Sequence, residues 1–188
     1  MRILLIDNYD SFTHNLRELI YKAAGTVANV RYNDAVRAID LQDADTIVIS
    51  PGPGHPSNEA DFGICAEVIR QASQPVLGIC LGHQGIATAL GGTVEHAPFP
   101  VHGQVDEIGH DGQGLFERIP QNFKAVRYHS LAVTNLPENV VATARTRDGI
   151  IMGLQHVERP IFGVQFHPES ICSEFGVEII SNFLKAVR

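Results

Sequence analysis

Val76-Leu77-Gly78-Ile79-Cys80-Leu81-Gly82-His83-Gln84-Gly85 is the stretch on which the fold turns. Val76 to Ile79 reads as a short strand buried on both faces, and Leu81 to Leu90 as a helix stopped by Gly91-Gly92. Between them, Gly78-Ile79-Cys80-Leu81-Gly82 has the spacing of a nucleophile elbow with Cys in place of Ser. The corner is tight, so glycines flank the nucleophile where a Cβ would strike the strand or the helix. The spacing predicts a thiol presented to solvent at a helix N-terminus, where the macrodipole favours the thiolate. A structural cysteine beside a glycine-rich joint is the bland alternative.

The same strand-helix rhythm extends upstream. Arg2 to Ile6 reads as a buried strand. A helix follows with Leu16, Leu19, Ile20 and Ala23 on one face, Asp10 or Ser11 as N-cap and Gly25 as the stop. Thr26 to Tyr32 reads as a strand, Ala35 to Leu41 as a short helix, Thr46 to Ser50 as a strand and Ala60 to Gln71 as one helix. Beyond Gly92 the runs shorten and alternate, at 93–96, 101–108, 123–128, 140–146 and 150–156, with Asp148-Gly149 as a hairpin turn. Ile161 to Phe166 returns to the main sheet. Val177, Ile180, Leu184 and Val187 mark a final amphipathic helix. The expected fold is α/β: a single domain over residues 1–188, with a mostly parallel mixed central sheet flanked by helices and a small antiparallel extension.

Composition narrows the function. A formal net charge of −7 argues against nucleic acid and anionic membranes as partners. With 44% hydrophobic and 19% charged residues a real core is expected, and no apolar run reaches membrane-spanning length. The start of the chain lacks the run of a signal peptide, so a cytoplasmic location is expected. Cys65, Cys80 and Cys172 form no CxxC pair, and the nine histidines show no HExxH or HxH spacing. Neither a disulfide framework nor a metal site is expected, and no cofactor is implied.

A cysteine nucleophile needs a base, and the base an orienting group. Phe166-His167-Pro168-Glu169-Ser170 supplies both after a buried strand. In extended backbone His167 and Glu169 leave the chain on the same side, so the carboxylate can hold one ring nitrogen and turn the other toward Cys80. Read alone, His-Pro-Glu is an ordinary turn. Ser50-Pro51-Gly52-Pro53-Gly54-His55-Pro56 is a stiff loop that exposes backbone N–H groups. Amides around Gly52 to Gly54, with that of Leu81, suit an oxyanion hole. The phosphate-binding alternative lacks its G-x-x-x-x-G-K-[ST] pattern.

These three segments, in this order and over nearly the whole chain, resemble the class I (triad) glutamine amidotransferases. Asp7-Asn8-Tyr9-Asp10-Ser11-Phe12, Pro51-Gly52-Pro53-Gly54, Gly82-His83-Gln84 and Arg127-Tyr128-His129-Ser130-Leu131 are similar to the chorismate-serving branch, the component II subunits of anthranilate and 4-amino-4-deoxychorismate synthases. The resemblance implies a glutaminase in which Cys80, His167 and Glu169 form the triad. It also implies that Gly52, Gly54, Leu81, Gln84, Ser130 and Leu131 contact L-glutamine, and that a chorismate-binding synthase subunit, component I, receives the ammonia. His129 reads as a hydrogen-bonded loop histidine, Gln104 stands where relatives carry a basic residue, and Cys65 and Cys172 read as bystanders. A stand-alone γ-glutamyl cysteine hydrolase and a non-catalytic binding domain are the competing functions. The first would hydrolyse γ-glutamyl compounds without a partner, and the second would form no adduct at Cys80.

Overall fold

Strand β1 (Ile3–Asp7) is buried along its whole length, as are β3 (Thr46–Ile49), β4 (Val76–Ile79) and β9 (Ile161–Val164) in the computed structural model, which describes residues 1–186. Strands buried on both faces need helices on both sides. Together with β2 (Asn29–Tyr32) they form five parallel strands in the order β2-β1-β3-β4-β9. Alternate residues of each strand divide into two cores. Leu5, Val48, Leu77 and Val164 face Leu16 and Ile20 of α1 (Thr13–Ala24) and Ile179, Ile180 and Phe183 of α6 (Gly176–Lys185). Leu4, Ile6, Ile47 and Ile49 face Val68 and Ile69 of α4 (Cys65–Gln71) and Leu81, Ile86 and Ala87 of α5 (Leu81–Ala89). Helix α2 (Ala38–Asp43) lies between β2 and β3 in sequence.

The sheet continues from β9 through four antiparallel strands, β8 (Ile151–His156), β7 (Val140–Thr146), β5 (Thr93–His110) and β6 (Phe123–Asn135). This half is larger than the small extension its short runs suggest. Strand β5 is a single element of 18 residues. Its pairing with β6 shifts register between His96 and Val101, where Pro98 and Pro100 interrupt the ladder, and again around Gly103 at φ +75°. Two sequence runs therefore become one strand. The β7–β8 turn is closed by Gly149, whose N–H donates to Thr146 O at 3.0 Å.

Three other expectations are corrected. The helix expected over residues 60–71 is broken into α3 (Glu59–Phe62) and α4, because Gly63 sits at φ +51° with the Asn33 carbonyl where a Cβ would be. Helix α1 begins at Thr13 without a side-chain cap; Asp10 and Asp7 instead brace the preceding loop, accepting from Phe12 N at 2.8 Å and Thr13 Oγ1 at 2.7 Å. The buried stripe of α6 is Ile179, Ile180, Phe183 and Leu184, so Val177 flanks the core, and Val187 lies outside the described residues. The strand read over 123–128 runs on to Asn135, and the remaining strand and helix ends move by a few residues.

At Gly82 a Cβ would stand 2.6 Å from the Ile49 carbonyl oxygen, so α5 cannot sit this close to β3 with any larger residue. Gly82→Ala is expected to cost about 1–3 kcal/mol through forced backbone displacement, read as a lower urea midpoint at unchanged m-value.

Candidate functional site

Cys80 connects β4 to α5 with φ +52° and ψ −100°, a conformation rare for a residue with a Cβ. Gly78 makes it possible, since a Cβ there would meet the Gly82 carbonyl at 2.4 Å. The corner is anchored by Cys80 N–H to Val164 O at 2.9 Å and Gln84 N–H to Cys80 O at 3.0 Å. Leu81 lies in the first helical turn, where a backbone N–H has no intrahelical acceptor. The loop after β3 reaches the same corner, for a Cβ on Gly52 would stand 3.1 Å from Leu81 Cδ2 and 2.6 Å from Asn8 Cβ. Asn8 holds that loop by accepting from Asn33 Nδ2 and by bonding Ser50 through its backbone N–H and side-chain amide, all at 2.9 Å. Gly54, at φ +88°, packs on Asp61.

The thiol is less open than the elbow spacing suggests. Cys80 is only 7% exposed, because β6 crosses the corner and places the Tyr128 carbonyl 3.8 Å from Sγ.

His167 and Glu169 come together as expected, with Nδ1 to Oε1 at 2.6 Å and both side chains buried. The route differs from the extended one, since Ser170 N–H donates to His167 O at 3.2 Å and residues 167–170 form a turn. His167 is fastened to β6 through its N–H to Val126 O at 3.0 Å, and Ser173 Oγ ties His167 O to Val126 N. Tyr128 stands edge-on to the imidazole at 5.3 Å between ring centroids. Nε2 of His167 is buried without a hydrogen-bond partner. Burial opposes a charge on this ring, but the Cys80 sulfur and the Glu169 carboxylate outweigh it and raise its pKa to about 10. The ring of His167 is thus held as imidazolium beside Cys80.

Gln84 lies one helical turn from Cys80, its Nε2 donating to Leu131 O at 3.0 Å and to Gln165 Oε1 at 3.1 Å. Leu131 O also accepts from His129 Nδ1 at 2.8 Å, while His129 Nε2 accepts from Arg127 Nε at 3.0 Å. The Arg127 bond fixes the tautomer, and burial with the adjacent guanidinium lowers the His129 pKa to about 4. His129 is therefore a neutral structural residue. Ser130 is exposed beside it. Gln104 bonds Asp106 at 3.2 Å, and Asp106 pairs with Arg127. Cys65 is buried against Asn8, its thiol pushed far up by burial, and Cys172 is exposed. Among the described residues no three His, Cys, Asp or Glu side chains converge to hold a metal ion.

Two residues that the sequence reading passed over belong to this site. Gln165 is fully buried, with Nε2 3.6 Å from Cys80 Sγ. Its signal was a lone amide inside an otherwise apolar run. Asp10, from the loop after β1, is close enough to feel His167 and Glu169, and burial raises its pKa.

Residues 4–187 match the family model described as glutamine amidotransferase class-I. An aminodeoxychorismate synthase from Streptomyces griseus is 51% identical over 185 residues, which are 97% of this chain and 26% of that protein. The chain therefore spans about a quarter of that relative's length. An anthranilate synthase component 2 from Methanothermobacter thermautotrophicus is 47% identical, over 97% of this chain and 98% of its own. A solved Thermoplasma acidophilum structure, named for a GMP synthase subunit, superposes with a TM-score of 0.90 at 28% identity, covering 100% of this chain and 94% of its own.

The histidine environments set a pH dependence of stability. His167 holds a proton in the folded state up to about pH 10 that the unfolded chain releases near 6.5, so its contribution is complete below 6.5 and is lost as pH rises toward 10. His129 and His83, held down to about 4 and about 3, act oppositely: their contribution is present above 6.5 and is lost as pH falls through those values. Urea unfolding measured from pH 4 to 10 is expected to give greatest stability near neutrality. Glu169→Gln should flatten the alkaline limb and leave the acid limb in place.

Proposed function

The chain belongs to the class-I glutamine amidotransferases, and on that premise we propose that it is the glutamine-hydrolysing component of a chorismate-aminating synthase, formed by one amidotransferase domain over residues 1–188. The observation that carries this reading is the corner itself. Cys80 is held at positive φ on a helix N-terminus, beside an imidazole whose Nδ1 is fixed by Glu169 and whose Nε2 is unpaired.

In this reading the Cys80 thiolate adds to the carboxamide carbon of glutamine. The resulting oxyanion is stabilised by the Leu81 N–H and a backbone N–H of the Gly52–Gly54 loop. As the intermediate collapses, the C–N bond breaks and the imidazolium of His167 gives its proton to the leaving amide nitrogen, releasing ammonia and a glutamyl thioester. His167, now neutral, takes a proton from water as the oxygen attacks the thioester. Expulsion of the thiolate then frees glutamate and restores the ion pair. Gln84 suits the amino-acid end of the substrate: both of its amide hydrogens are committed to Leu131 and Gln165, so its Oε1 is the atom free to accept from the α-ammonium group. Ser130 and Leu131 supply the backbone edge beside it.

Ammonia is mostly protonated in neutral water, so it has to reach its acceptor without mixing with solvent. A docked component I that binds chorismate satisfies this. The surface around the corner supports such docking, with Tyr9, Phe12 and Tyr32 exposed near the end of the sheet and Ile171, two residues past Glu169, 99% exposed. Whether the aminated product is anthranilate or 4-amino-4-deoxychorismate is decided in component I. No helix among the described residues is long and apolar enough to cross a membrane, which is compatible with a cytoplasmic location.

The test reconstitutes the chain with component I. Cys80→Ser is expected to reduce glutamine-dependent product to background while ammonia-dependent synthesis persists. Retained glutamine-dependent synthesis would overturn the assignment. Full glutaminase turnover by the isolated chain, unchanged when component I is added, would favour the stand-alone γ-glutamyl hydrolase.

A further inference from the structure

Strand β9 ends in Val164 and is followed by Gln165, a polar residue with no exposed surface. Its backbone N–H donates to Met152 O at 2.9 Å, so its place at the strand end is fixed independently of its side chain. The side chain reaches two partners, Gln84 Nε2 at 3.1 Å through Oε1 and Cys80 Sγ at 3.6 Å through Nε2. A buried amide is costly unless its polar atoms are satisfied, and these two contacts engage both ends of this one.

The direction of the chain of bonds follows from chemistry rather than from how an amide is drawn. Leu131 O is a carbonyl and can only accept, so the Gln84 atom 3.0 Å away must be nitrogen. That same nitrogen faces Gln165, which must therefore answer with oxygen. The Gln165 nitrogen is left pointing at the sulfur. Reversing Gln165 would set its N–H groups against those of Gln84.

We propose that Gln165 donates a side-chain N–H to the Cys80 sulfur and, through Gln84, links the residues that contact glutamine to the state of the nucleophile. This rests on reading Cys80 as the nucleophile. A hydrogen bond to an anion is stronger than one to a neutral acceptor, so the contact favours thiolate over thiol. It adds no charge. A cation in the same place would hold the thiolate more tightly, and nucleophilicity falls with thiol basicity. The amide also leaves the single positive charge on His167, where the departing nitrogen needs its proton. The titratable groups around the pair are His167 and Glu169 after β9, His83 on α5, His129 on β6 and Asp10 after β1. His83 and His129 stay neutral above about pH 5, with pKa values of about 3 and about 4.

The experiment measures carbamidomethylation of the full chain by iodoacetamide across pH 5–10, with Cys80 and the exposed Cys172 resolved by peptide mass. Gln165→Met keeps the bulk and removes the donor, and Gln165→Glu replaces the donor with an acceptor. Both are expected to raise the Cys80 alkylation midpoint by about one pH unit, roughly tenfold less thiolate below it, with Cys172 unmoved. An unmoved Cys80 midpoint in either folded variant overturns the proposal and leaves Gln165 a packing residue. A wild-type measurement keeps the question open to refutation should both variants fail to fold. With 15N-glutamine labelling, the Gln165 side-chain NH2 signal is expected to shift when Cys80 is alkylated, and a fixed signal overturns the contact. Glutaminase assays on the same samples separate the readings. Wild-type protein that hydrolyses glutamine but shows no midpoint shift in the variants refutes only the Gln165 role. Wild-type protein inactive even with component I refutes the proposed function, while a midpoint shift would still uphold the contact.

Discussion

The close approach of α5 to β3 and β4 is the constraint from which the site follows. Gly78 and Gly82 allow backbone to meet backbone where any side chain would collide, and the chain can turn the corner only by putting Cys80 at positive φ. Such a conformation costs of order 1–3 kcal/mol and persists where the surroundings over-determine it. Here the bond from Cys80 N–H to Val164 O locks it to β9, and the Gly52 loop closes over Leu81. The strain therefore sits where a thiol, a free helix N-terminus and the Gly52 loop converge.

A parallel sheet alone would not complete this site. Its strands deliver β1, β3, β4 and β9 loops to one edge, beside the point where strand order reverses between β1 and β3. The imidazole stays in place because β6 reaches back from the far antiparallel edge of the sheet to bond His167 through Val126 and Ser173. The same strand covers Cys80 with Tyr128 and presents Leu131 to Gln84. The antiparallel half is thus the clamp on a cluster whose Cys80, His167 and Glu169 come from loops of the parallel half.

This division explains what was legible in the sequence. Buried strands, the glycine corner and the pairing of His167 with Glu169 are local patterns, and each occurs, the last through a turn in place of extended backbone. Cover and continuity are not local. Nothing near Cys80 in sequence announces that Tyr128 lies above it, which is why a solvent-facing thiol was expected where one only 7% exposed is found. Pro98 and Pro100 look like strand ends, yet a register shift carries β5 across them. Gly63 looks tolerable inside a helix, but its packing against Asn33 requires the break. Gln165 disappeared into an apolar run because its partners, Cys80 at the β4–α5 corner and Gln84 on α5, lie some 80 residues away in sequence.

The three histidines around the corner show how one residue type is given opposite charge states. Burial alone would discharge all of them. His129 stays neutral because Arg127 donates into one nitrogen and the Leu131 carbonyl takes the hydrogen of the other, an arrangement that has no room for a second proton. His83 has neither a buried anion nor a hydrogen-bond partner at either ring nitrogen, and its pKa falls to about 3. Only His167 meets a carboxylate on one side and a sulfur on the other, and only there does the proton stay. The proton is thereby kept on the one ring beside Cys80, while its neighbours remain neutral and hold the β6 backbone edge in place.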